Sequence, residues 1–206
     1  MDTPRPHLGW HSRDSLPHFD QPDLVQAITF RLADSLPAEV LQQWEVEHRK
    51  LGENRRDLER RRRIEQYLDA GHGACWPGQP EIAQVVETAL LHFDGARYRL
   101  LGWVVMPNHV HVLAEMLPGF PLGDVMYSWK AFTAKEANKI LGRSGPFWQR
   151  EYHDRYIRDG DHFAKAMRYL EDNPVKAGLC AAPEDWPWGS ARRRAELPPP
   201  SIQSVL

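Results

Sequence analysis

The chain has 206 residues, 42% of them hydrophobic and 26% charged, with a formal net charge of −2; this is a globular composition, long enough for folding to bury about 70% of the unfolded surface. Two cysteines, Cys75 and Cys180, exclude a disulfide framework and a four-cysteine zinc site, and a reducing cytoplasm is the simplest compartment. The longest apolar run, Leu100 to Met106, falls far short of the roughly 20 residues of a membrane helix, and the Pro- and His-rich N-terminus lacks a signal-peptide core.

Residues 1–23 show no period and predict an irregular arm. From Val25 to Ala33 the pattern alternates, with Ile28, Phe30 and Leu32 on one face and Ala27, Thr29 and Arg31 on the other, which predicts a strand. Residues 37–70 predict a polar helical pair broken near Gly52, an insertion and not part of the core. Within it Arg49, Lys50, Arg55, Arg56, Arg60, Arg61, Arg62 and Arg63 outnumber Glu53, Asp57 and Glu59, so this stretch is either a solvated charged helix or a phosphate-contacting surface.

From Pro80 the residues Ile82, Val85, Val86, Ala89, Leu90 and Phe93 keep the spacing of an amphipathic helix with proline in its first turn. Two β-rich runs, 97–105 and 109–116, joined by Met106-Pro107-Asn108, predict a hairpin. A second amphipathic helix over about 122–141 carries Val125, Met126, Trp129, Phe132 and Ile140, and 147–158 is strand-like. A third helix over 161–172 is expected to stop before Asn173-Pro174, and 195–206 reads as a flexible tail. With the insertion removed, the first six elements follow the split βαβ order of ferredoxin-like folds. The expected architecture is one α+β domain over 1–206. It has a central antiparallel sheet, helices on one face, the other face free for a site, and a C-terminal helix.

His109 and His111 lie two apart in a predicted strand, so both imidazoles leave one sheet face, either as ligands of one divalent metal or as polar residues of an edge strand. On the third helix Phe163, Ala166, Met167 and Leu170 form the apolar stripe, and Tyr169 falls on its flank beside His162 and Asn173. Tyr152 and Tyr156 are rival nucleophiles in principle, Ser190 lacks a nucleophile-elbow context, and a zinc hydrolase built on His109, His111 and Glu115 lacks a further ligand.

The segment Met106-Pro107-Asn108-His109-Val110-His111-Val112 resembles the HUH endonuclease superfamily, specifically the REP-associated tyrosine transposases. The likeness extends, in order, to Leu16–Phe19, Thr29–Leu32, Phe147–Tyr152, Asp154–Arg158, Tyr169–Leu179 and Trp186–Trp188. It implies metal ligation by His109 and His111, a Tyr169 nucleophile, and Asn173 at a ligand position often held by glutamine. The implied cofactor is Mg²⁺ or Mn²⁺. The implied substrate is single-stranded DNA bearing REP-type hairpins, cut and rejoined through a 5′-phosphotyrosine link by a monomer or homodimer. Arg31, Arg155 and Arg158 are the phosphate contacts expected on this basis. The competing expectation is a domesticated relative that binds structured DNA or RNA without cleaving it.

Overall fold

The computed structural model describes residues 5–12, 17–47 and 52–196. The N-terminal arm, expected to be irregular, contains an antiparallel hairpin of β1 (Gly9–Ser12) and β2 (Pro17–Asp20), with Trp10 opposite Phe19 and His11 opposite His18. Strands of four residues are too short for alternation to show in sequence. Polar anchors hold them instead. The buried Asp20 carboxylate accepts from Leu8 N and Leu122 N and lies 2.8 Å from His7 Nδ1. Residues 1–4, 13–16, 48–51 and 197–206 lie outside the described residues, and with them Leu16 of the resemblance and nearly all of the expected tail.

Strand β3 (Val25–Arg31) leads into α1 (Ala38–Glu47) and α2 (Glu53–Asp69), the helical pair expected over 37–70. The first of the two buries no residue, consistent with its polar sequence. The remaining elements are α3 (Pro80–His92), β4 (Tyr98–Val105), β5 (His109–Met116), α4 (Leu122–Ile140), β6 (His153–Tyr156), α5 (Gly160–Lys176) and α6 (Ser190–Glu196). The main sheet has the order β4-β5-β3-β6, every pair antiparallel. With its crossover helices α3 and α4 this is the split βαβ arrangement that the element order implies. No described helix is long and apolar enough to cross a membrane.

Register decides what each face carries, because side chains alternate along a strand. Phe30 pairs with Val110 and Ile28 with Val112, and these side chains pack against Ile82, Val86 and Leu90 of α3 and Leu122, Val125, Met126 and Trp129 of α4. On the opposite face Leu170 packs with Val104, Met106, Leu113 and Ile157, joined by Phe163, Ala166 and Met167 of the predicted apolar stripe. Part of the face expected to be free is thus covered by α5. Gly102 permits that approach. It sits where the β4 register shifts, and a Cβ there would stand 2.8 Å from Met167 Sδ.

Two expected boundaries change. Helix α5 does not stop at Asp172 but runs through Pro174 to Lys176. Proline removes one backbone donor near the end of the helix, and Ala177 N to Asn173 O and Leu179 N to Pro174 O still close the last turn before Gly178, at φ 70°. The stretch 147–158 is strand only over His153–Tyr156, with an isolated bridge from Trp148 to Leu32. Side chains hold the rest: Trp148 Nε1 donates to Thr133 Oγ1, and Lys130 Nζ donates to Gln149 O and Arg150 O. Near the C-terminus, Val105 N donates to Trp188 O, Trp186 Nε1 donates to Val105 O, and Gly189 bridges Val104, so 186–189 runs along β4.

Candidate active site

His109 and His111 leave β5 on the face away from α3 and α4, with ring centroids 4.7 Å apart and exposures of 1% and 7%. The sheet register places Arg31 opposite His109 and Thr29 opposite His111, and it brings His153 of β6 to the same face beyond Thr29. Asn108, in the turn before β5, fixes the first imidazole. Its Nδ2 donates to Leu68 O at 3.0 Å and His72 O at 2.9 Å, which turns Oδ1 toward His109 Nδ1 at 2.7 Å. An amide oxygen only accepts, so Nδ1 carries the proton and Nε2 keeps a lone pair. That Nε2 is buried without a hydrogen-bond partner. His111 Nδ1 lies 2.8 Å from Thr29 Oγ1.

Both rings are held neutral. Burial pushes His109 well below the ordinary histidine value, and the neighbouring His111 and Arg31 act in the same direction. Burial and then His153 lower His111 to about 4. A neutral imidazole is the form that ligates metal.

Helix α5 crosses this face so that the Tyr169 ring stands 5.7 Å from the His111 ring, edge-on at 82°. The Tyr169 hydroxyl is buried with Glu65 and Asn173 beside it, aligned for a good hydrogen bond to neither. Burial raises the phenol above its ordinary value, the carboxylates of Glu65 and Asp69 add to this, and the Asn173 amide partly offsets it. Asn173 is 0% exposed, and its amide lies beside the Tyr169 hydroxyl with no other hydrogen-bond partner. From α2, Asp69 brings Oδ1 to 4.0 Å from His109 Nε2. Lys176 Nζ sits 4.8 Å from the Tyr169 ring centroid.

Among the described residues no three His, Cys, Asp or Glu side chains already converge tightly enough to hold a metal ion. The two imidazoles therefore need an amide oxygen or a shift of a carboxylate to complete a ligand set. The donors present suit a divalent ion: a buried lone pair on His109 Nε2 and buried oxygens on Asn173 and Asp69.

The expected phosphate contacts separate by position. Arg31 lies on the site face, where burial and then Arg60 lower it to about 10. Arg155 shares the His153 face of β6 and is exposed, while Arg158 is exposed just beyond the strand. His162 does not join the site, since its Nδ1 accepts from Arg158 N at the start of α5. Tyr152 packs beside His18 and Tyr156 beside Trp10 and Phe19, away from the imidazole pair. Glu115 pairs with Arg99 and lies four residues, roughly 13 Å, along β5 from His111, too far to share an ion with it. Ser190 is structural, its Oγ accepting from Trp103 N. Sequence reasoning missed Asn108, Thr29, His153, Glu65 and Asp69. The alternation of β3 and β6 carries Thr29 and His153 once the register is known, but nothing local marks the acidic end of α2.

The family model described as transposase IS200 like matches residues 80–173, from the first residue of α3 to Asn173. A Haemophilus influenzae protein bearing the REP-associated tyrosine transposase name is 29% identical, with the alignment covering 46% of this chain and 61% of the relative. An Escherichia coli REP-associated tyrosine transposase is 28% identical over 47% of this chain and 56% of its own length. The matched region thus spans only about three fifths of these curated relatives. A solved REP-associated tyrosine transposase bound to a REP hairpin superposes with a TM-score of 0.56 at 17% identity, over 90% of this chain and 89% of that one, a likeness of fold. Over residues 80–173 the chain is thus similar to the IS200-like transposases, and the curated relatives named above are REP-associated tyrosine transposases.

Proposed function

We propose that the chain is a metal-dependent single-stranded DNA endonuclease and strand transferase that acts on REP-type hairpins through a 5′-phosphotyrosine link on Tyr169. The observation that carries the reading is the meeting of Tyr169 with His111, rings 5.7 Å apart, beside a second imidazole whose Nε2 lone pair is buried and free. The named relatives and the hairpin bound by the structural neighbour supply the substrate class.

Tyr169 Oη attacks the scissile phosphorus, the new Oη–P bond forms, and the P–O3′ bond breaks to leave a 3′ hydroxyl that takes up a proton. A phenol raised above its ordinary value is protonated at neutral pH, so it needs an acceptor. Glu65, facing it from α2, is placed to receive the phenolic proton. His109, His111 and Asn173 would hold Mg²⁺ or Mn²⁺, which when bound supplies polarisation of the phosphate and offsets charge on its oxygens. Arg31 contacts the phosphate from the site face, and Arg155 and Arg158 track the strand further out. Because the link to tyrosine keeps the phosphodiester energy, attack by another 3′ hydroxyl rejoins strands without ATP.

Incubating the protein with a labelled REP-type hairpin oligonucleotide and Mn²⁺ tests this. The expected product is a denaturant-resistant adduct that vanishes in Tyr169→Phe and in the His109→Ala, His111→Ala double variant, while hairpin affinity, which rests on phosphate and stacking contacts, persists. Tight binding of a cognate hairpin with no adduct sinks the cleavage reading and leaves a non-cleaving binder.

A further inference from the structure

We propose that Asp69, the last residue of α2, supplies a carboxylate oxygen to the divalent ion held by His109 and His111; the inference rests on the metal-dependent reading above. Helix α2 precedes the segment matched by the family model, so the resemblance assigns nothing to this residue.

Position comes first. Asn108 turns His109 with its Oδ1 and, with its Nδ2, clamps the carbonyl of Leu68, the residue before Asp69. One side chain therefore sets both the imidazole and the end of the helix that carries the carboxylate. Geometry agrees with shared ligation. Asp69 Oδ1 lies 4.0 Å from His109 Nε2, and both atoms are buried without a hydrogen-bond partner. Two ligands each about 2.1 Å from one ion stand about 3 Å apart at a right angle and about 4 Å apart across it. The separation falls inside that range.

Chemistry gives the reason for a carboxylate. Two neutral imidazoles and an amide contribute no negative charge, whereas Mg²⁺ and Mn²⁺ are hard ions that favour anionic oxygen. The amide of Asn173, wholly buried on α5 beside Tyr169, offers a neutral oxygen. Asp69 adds the charged donor that this set lacks.

The test is a Mn²⁺ titration of the full chain, followed by calorimetry and by the electron paramagnetic resonance of free Mn²⁺. The wild type is expected to bind one ion, and Asp69→Asn to bind it about 10–100-fold more weakly. An equal melting temperature in chelator shows that the variant is folded. Asp69→Cys provides a direct signature: Cd²⁺ should produce ultraviolet thiolate-to-cadmium absorption above the wild-type background, lost again when His109→Ala is added. Wild-type Mn²⁺ affinity in Asp69→Asn, or no such absorption in a folded Asp69→Cys, overturns the assignment and leaves the nuclease reading standing. Failure of the wild type itself to bind Mn²⁺ sinks both.

Discussion

Replacing Asn108 by alanine removes a side chain that is 1% exposed and makes three hydrogen bonds: to Leu68 O, His72 O and His109 Nδ1. Each is worth about 1 kcal/mol net, and a buried Nδ1–H left without an acceptor adds to the loss, so Asn108→Ala should destabilise by about 3 kcal/mol. Out of a total stability of about 5–15 kcal/mol this is measurable by urea unfolding in chelator. A second consequence is local. Without Oδ1 nothing fixes the His109 tautomer or ties the end of α2 to the hairpin turn, and metal affinity should fall about 10–100-fold, read by Mn²⁺ calorimetry on the same preparations. Asn108→Asp should not rescue, because it presents a carboxylate to two carbonyl oxygens. A loss of stability below about 0.5 kcal/mol together with unchanged Mn²⁺ affinity would refute the account, since those hydrogen bonds would then hold neither the ring nor the helix.

Acid should destabilise the metal-free protein through its imidazole pair. His111, at about 4 in the fold against an ordinary 6.5, leaves the unfolded chain binding the proton first, so its contribution is complete above about pH 6.5 and disappears as pH falls through about 4. That contribution is roughly 3 kcal/mol, with His109 acting in the same sense, and urea unfolding across this range should show it and His111→Gln should flatten it; a flat wild-type profile contradicts the burial argument. Tyr169→Phe should change stability by no more than about 1 kcal/mol, because the lost hydroxyl lies beside Glu65 and Asn173 without a well-aligned hydrogen bond to either. A clear destabilisation in thermal melts would mean that the hydroxyl supports the fold. Gly102→Ala should cost no more than about 1 kcal/mol, because its Cβ meets only the flexible end of Met167, which can swing aside, and Met167→Ala in the same chain should remove that cost in a double-mutant cycle. Simple additivity of the two would show that α5 does not rest on that contact.

Much of the fold is legible because it depends on periods. Ile28 and Phe30 alternate with Thr29 and Arg31, Ile82, Val86 and Leu90 recur at helical spacing, and both patterns survive in the structure. Elements defined by side-chain anchors are harder to see. Strands β1 and β2 depend on Asp20 reaching Leu122, more than a hundred residues away. Pro174 misleads in the opposite way: local preference ends a helix before it, but the bonds beyond it carry α5 on and bury Asn173. At the candidate site, the His-x-His spacing and the flanking position of Tyr169 are local and readable. Asp69 and Glu65 enter only through tertiary placement of a helix whose sequence looks like a solvated surface.

The run of chain from Trp186 to Gly189 occupies the outer margin of β4, with Trp188 O accepting from Val105 N and Gly189 bridging Val104. An unprotected margin of this kind is a template on which another polypeptide can add a strand. Here the molecule's own backbone already takes the place, with an indole N–H fastening it. Self-association by extending the sheet past Val104 and Val105 would first require peeling that strap away, so trimming the chain before Trp186 should convert a guarded rim into an adhesive one.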